Sequence, residues 1–235
     1  MKEPMVDYRK LRLSNCGEPE YKHVKLLLYW PIYGLLFLFV ERFYSPGAYY
    51  SMHCALDDWI PFNELFLIPY LFWFVFLTGM LLYTFLYDTD CFSRMMWFII
   101  ITYTTALAVY FIFPTCQQLR PAQFPRDNIL TRFMGWFYGF DTNTNVCPSI
   151  HVIGSLAVMF AAWHTPAFRS GGWRRAFDLT AILICISTVF VKQHSVLDVL
   201  AALPVCAMAY PLCFKTKAGA GQEKKWTKKP DKTCC

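Results

Sequence analysis

Charge is scarce in this chain. Of its 235 residues only 16% are Asp, Glu, Lys or Arg, while 56% are hydrophobic and 19% aromatic. An ordinary soluble domain carries about a quarter of its residues as charges, so this balance excludes one. Regular cysteine spacing is also missing. The ten cysteines make neither a metal ribbon nor a disulfide framework. Cys91, Cys185, Cys206 and Cys213 read as filler in or near apolar runs, and only a Cys116–Cys147 bridge in the outer loops is conceivable. No internal repeat is present, and no Gly/Pro-broken helix at midplane, which argues against a transporter architecture. No basic stripe interleaves with exposed aromatics, so a nucleic-acid partner is excluded. The Cys234-Cys235 end lacks a C-a-a-X pattern and reads as a reduced tail. Nothing in the sequence specifies an oligomeric state.

What the chain does have is long apolar runs, at about Val24–Phe43, Leu65–Tyr87, Met95–Pro114, Ser149–Trp163, Phe177–Val191 and Val196–Phe214. A bilayer core of ~30 Å takes ~20 helical residues. The expectation is an all-α polytopic membrane bundle of about six spans, the fourth and fifth borrowing polar flanks. The first run, flanked by Lys22 and Lys25 without a small-residue cleavage site, reads as a retained helix rather than a signal peptide. Residues 1–22 are then a cytoplasmic segment, 23–214 the membrane domain and 215–235 a basic disordered tail.

With the N-terminus inside, all but Arg42, Arg120, Arg126, Arg132 and Lys192 of the 22 basic residues fall on the cytoplasmic side. That is the positive-inside pattern, and it predicts a multi-pass protein, of the plasma membrane, whose span ends at His151 and His194 face outward. Two outer loops are long. In the first, Asp57, Asp58, Trp59 and Glu64 read as helix caps and an aromatic belt. In the second, Ile129, Phe133, Trp136, Phe137 and Phe140 are spaced for a helix lying in the interface, and Arg126 and Arg132 suit headgroup contact.

One carboxylate lies inside an apolar run. Asp198 follows His194 by four residues, which puts both on one helix face a turn apart, and an intramembrane acid marks a functional site by default. His151 opens the fourth run in the string Cys147-Pro148-Ser149-Ile150-His151. At about 1.5 Å per residue, the 43 residues between the histidines suffice to go down one span and back up the next. Arg120, Ser149, His151, Lys192, His194 and Asp198 therefore converge on one membrane face. These types suit phosphoryl transfer. Arg120 and Lys192 would bind phosphate oxygens. Pro148 suits a first helical turn, so that Ser149 and nearby amides would offer an anion site. His194 would attack phosphorus with Asp198 setting its tautomer, and His151 would act as general acid and then base. No carboxylate cluster of Mg²⁺ spacing lies near, so no metal or other cofactor is expected.

These residues resemble the type-2 phosphatidate phosphatase (lipid phosphate phosphatase) superfamily, whose blocks are K-x6-R-P, P-S-x-H and S-R-x5-H-x3-D. Arg120-Pro121, Pro148-Ser149-x-His151 and Ser187-x6-His194-x3-Asp198 match in order, over about Phe113 to Pro204. Phe113 stands in place of the Lys and Thr188 in place of the Arg, with Lys192 nearby as a substitute charge. In that respect the chain looks more like the branch of inositol-phosphorylceramide and sphingomyelin synthases. The resemblance implies six spans, a phosphohistidine intermediate and no metal. The expected activity is metal-independent hydrolysis of a lipid phosphate or diphosphate among the membrane lipids of the outer face. The alternatives are transfer of a phospho-headgroup to a lipid alcohol and non-catalytic transport of an anionic lipid.

Overall fold

The computed structural model describes residues 3–215. The expected basic tail falls, from residue 216 on, outside the described residues. Among those described there are eight α-helices: α1 (Tyr29–Arg42), α2 (Ala55–Trp59), α3 (Leu67–Tyr87), α4 (Thr89–Ile112), α5 (Ile129–Phe140), α6 (Ile150–His164), α7 (Gly171–Phe190) and α8 (Val196–Tyr210). Six of them, α1, α3, α4, α6, α7 and α8, form an all-α bundle, and α2 and α5 lie in the connections between them.

Among the described residues, four segments are long and apolar enough to cross a membrane: Lys22–Arg42, Glu64–Tyr87, Thr89–Ile112 and Val196–Lys215. The first begins with a 3-10 stretch, Lys22–Leu28, running into α1, and the last ends in a π turn, Pro211–Lys215. α6 has only 15 residues, short of the ~20 a bilayer core takes. α7 is 20 residues long, but Arg174, Arg175 and Asp178 occupy its first turns. Two helices start earlier than hydropathy predicts. α4 begins at Thr89 rather than near Met95 because the Asp88 carboxylate accepts from Cys91 N at 3.1 Å and caps it. α7 begins at Gly171, after Ser170 in extended conformation, so its charged start is helical rather than loop.

α6 is the central helix, packed against α3, α4, α7 and α8. It is buried on nearly every face, from His151 through Gly154, Ser155 and Ala157 to Ala161 and Ala162. Small residues let neighbouring backbones approach, the usual way to pack helices in lipid. At Gly154 the approach is closest: an added Cβ would lie 2.8 Å from Tyr103 Oη and 2.9 Å from the Trp73 ring. By contrast α1 leaves Ile32, Leu35, Leu36 and Phe39 exposed, a surface suited to hydrocarbon.

The loops at one end of the bundle are tied together. Two short parallel strands, β1 (Tyr50–Ser51) and β2 (Thr115–Cys116), join the connection after α1 to the one after α4. Arg126 pairs with the buried Glu64 just before α3 (2.9 Å), and Arg132 with Asp127 (2.8 Å), while both arginine side chains stay exposed. α5 buries Thr131, Met134 and Phe137 while Ile129, Trp136 and Phe140 stay exposed. Cys116 and Cys147 are both free thiols, so no bridge joins these loops.

Candidate active site

His194 sits in the turn between α7 and α8, and His151 in the first turn of α6. The two rings meet at the tied end of the bundle, with His194 Nε2 3.4 Å from His151 Nδ1. The other His194 nitrogen, Nδ1, lies 3.3 Å from Asp198 Oδ2. Ser195 caps α8, and Asp198 completes the capping box by accepting from Ser195 N at 2.9 Å. One carboxylate oxygen thus both closes the helix start and faces the histidine. His151 is wedged between the Tyr70 and Trp73 rings, each with its centroid 4.5 Å away. Its Nε2 is buried without a hydrogen-bond partner.

Ser149 stands at the N-cap of α6 but makes no side-chain cap bond. Its hydroxyl is buried and unpartnered, while its N–H donates to the Asp198 carbonyl at 3.1 Å. That bond fastens α6 to α8 directly behind the histidines. Pro148 precedes the cap rather than occupying the first helical turn, and Tyr110 donates to its carbonyl at 2.6 Å.

Two residues expected to bind phosphate are occupied otherwise. Arg120 donates to the carbonyls of Tyr138, Asp141 and Thr142 at 2.9, 2.7 and 2.6 Å and to Gln193 Oε1 at 2.5 Å, and its guanidinium stacks on the Tyr138 ring. It closes the end of α5 and joins it to the histidine turn. Lys192 is in the left-handed region with φ 53°, and its Nζ donates to the Asp57 carbonyl at 2.8 Å. Burial pulls its pKa below the usual lysine range. The turn itself is held by Tyr138 Oη on the Val191 carbonyl (2.6 Å) and by Gln117 Nε2 on the Lys192 carbonyl (2.9 Å).

Beside the histidines lies a cavity of about 40 Å³, lined in part by Glu41, Asp141, Thr142, Thr144, Asn145 and Gln193. The cavity is small, and both histidines border it. Neither Arg120 nor Lys192 lines it, whereas two carboxylates do. Tyr70 Oη and Gln193 Nε2 both donate to Asp141 Oδ2, at 3.1 and 3.0 Å. Burial nonetheless raises the Asp141 carboxyl above the ordinary range. Asn145 Nδ2 donates to Glu41 at 3.0 Å.

Sequence reasoning therefore reached the two histidines and Asp198 but not Glu41, Asp141, Gln193 or Asp57. Glu41 had a visible signal, as an acid near the end of an apolar run. Gln193 and Asp141 had none beyond proximity to His194 and to a polar stretch. Among the described residues no three His, Cys, Asp or Glu side chains converge as metal ligands. No family model matches the chain, and no curated protein or solved structure matches it either.

Proposed function

We propose that the chain is a membrane phosphoryl-transfer enzyme that hydrolyses a lipid phosphate through a phosphohistidine at His194. The observation that carries this reading is the file of three groups: Asp198 on one nitrogen of His194 and His151 opposite the other. With Asp198 accepting a hydrogen bond from Nδ1–H of His194, the lone pair is left on Nε2, the atom aimed at His151. Phosphate entering between the rings meets that lone pair. The new bond is Nε2–P and the bond broken is P–O to the lipid alcohol. His151, as general acid, gives a proton to the departing oxygen and is left neutral. It then takes a proton from water as water attacks phosphorus, the N–P bond breaks, and inorganic phosphate leaves. Asp198 stabilises the His194 imidazolium formed on the way.

The lining of the cavity favours a second reading. Glu41 and Asp141 would repel a doubly charged phosphomonoester, a repulsion that the nearby Arg120 and Arg42 guanidinium groups offset only in part because Arg120 is bonded to backbone carbonyls. A phosphodiester has a single charge, and a headgroup with hydroxyl or ammonium donors would find acceptors in these carboxylates. The same phosphohistidine chemistry would then pass a phospho-headgroup to a lipid alcohol. The raised pKa of Asp141 moderates the repulsion and keeps the hydrolase reading open. Purified protein in detergent, with EDTA, should be screened on phosphatidate, polyprenyl diphosphate and phosphodiester phospholipids with and without an added lipid alcohol. Inorganic phosphate release supports hydrolysis, and a new phospholipid without phosphate release supports transfer. Neither product from any substrate, or activity only with added Mg²⁺, counts against the mechanism.

A further inference from the structure

The side chain that holds the histidine turn from the outer loop is Asp57, on the five-residue helix α2, 138 residues before Ser195. Its residue is 1% exposed, and four donors converge on it. Ser195 Oγ donates to Oδ2 at 2.6 Å and Val196 N to Oδ1 at 2.8 Å. Cys54 N donates to Oδ2 at 2.8 Å, closing the start of α2. Lys192 Nζ reaches the Asp57 backbone carbonyl at 2.8 Å. Residues on both sides of His194, at positions 192, 195 and 196, are thus fastened to one acid of a distant loop.

We propose that Asp57 is a positioning residue for His194: it fixes the Ser195–Val196 start of α8, and through it the distance and angle between His194 and Asp198. The connection is direct. Ser195 Oγ donates to Asp57 and accepts from Leu197 N at 3.1 Å, while Ser195 N donates to Asp198 Oδ2. Rotation of Ser195 therefore moves the carboxylate that orients the histidine. Local helix capping alone asks for less, because the Ser195–Asp198 capping box already satisfies the Ser195 and Leu197 amides, which leaves Asp57 only the Val196 amide as a capping task. The Asp57 bonds add a tie to a separate element, and Lys192 extends it across the turn. Burial acts to raise the Asp57 carboxyl, but the bonds from Ser195, Val196 and Cys54 win and hold it below the ordinary carboxylate range.

The inference rests on His194 as nucleophile, and its test separates the two. Asp57→Asn, Ser195→Ala and the double variant are compared with Asn128→Ala, which removes a helix cap on α5 away from the histidines. The first readout is steady-state turnover on the best substrate of the screen above. The second is deuterium exchange of the amides at 192–198. Asp57→Asn should lower kcat by roughly 10- to 100-fold with KM little changed, the scale of a displaced catalytic group. Exchange at 195–198 should rise. Ser195→Ala should act likewise, and the double variant should cost no more than the worse single, since both remove one linkage. Asn128→Ala should lower stability while leaving kcat. Equal kcat losses in Asp57→Asn and Asn128→Ala, additive singles, or unchanged exchange at 195–198 would overturn the positioning role. A wild type inactive on every substrate would instead defeat the nucleophile reading, and the exchange result would still decide whether Asp57 braces the turn.

Discussion

Gly154→Ala is the sharpest test of how the bundle is packed around the candidate site. The new methyl would stand 2.8 Å from Tyr103 Oη and 2.9 Å from both Trp73 Cζ2 and Nε1. Those neighbours are rings rather than flexible ends, and both residues are buried. Overpacking of this kind costs about 1–3 kcal/mol, against about 1 kcal/mol gained from replacing a helical glycine by alanine. The net expectation is a loss of roughly 0–2 kcal/mol. Gly34 and Gly79 supply the control, because an added Cβ there meets nothing within 4 Å, so Gly34→Ala and Gly79→Ala should gain up to about 1 kcal/mol. The crowded position should therefore fall below the open ones by about 1–3 kcal/mol. Trp73 also packs on His151, so the displacement reaches the site, and activity should drop with stability. The assay is thermal or denaturant unfolding of the three variants in one detergent, followed by intrinsic tryptophan fluorescence. A Gly154→Ala midpoint as high as that of Gly34→Ala would refute the close helix approach.

Asp198→Asn should cut turnover by several orders of magnitude while leaving substrate affinity, by analogy with a serine triad, where the comparable change costs ~10⁴; activity within tenfold of wild type would contradict tautomer control. Asp57 makes a pH signature. Its folded-state pKa lies below the ordinary 3.8, so its stabilisation is present at higher pH and lost as pH falls below about 4. The difference in unfolding midpoint between wild type and Asp57→Asn should be constant from about pH 5 to 8 and shrink below about 4, and a constant difference down to about pH 2 would refute the assignment. In a cysteine-free background, a cysteine at Asn143 should label in intact cells and one at Gly171 only after permeabilisation; the reverse pattern would turn the site to the inner leaflet.

The bundle was largely legible because apolar length is a one-dimensional property. Each of the six runs corresponds to a helix. The errors lie at their ends, where Asp88 and Ser170 start helices among polar residues that hydropathy counts as loop. The histidine pair and Asp198 were legible for a related reason: an i, i+4 spacing and a two-span separation are geometric statements made by numbers alone. The phosphate-binding roles of Arg120 and Lys192 were assigned from residue type, and type does not say where a side chain points. Arg120 and Lys192 turn to backbone carbonyls that a tight connection leaves without partners, a demand set by loops distant in sequence. Asp57 shows the same limit. Reading it as a cap was right, since it completes the capping box of α2, but it also braces the start of α8, and no local pattern connects residue 57 to residue 196.

The central claim is a covalent bond between His194 and phosphorus. It is tested most directly by quenching wild type, His194→Ala and His151→Ala in alkali after brief exposure to a lipid substrate labelled at phosphorus, then locating the label by peptide mass spectrometry. The account predicts alkali-stable, acid-labile label on His194 of wild type, none on His194→Ala, and label that forms slowly and persists on His151→Ala. Label on any other residue, or label retained by His194→Ala, would contradict it.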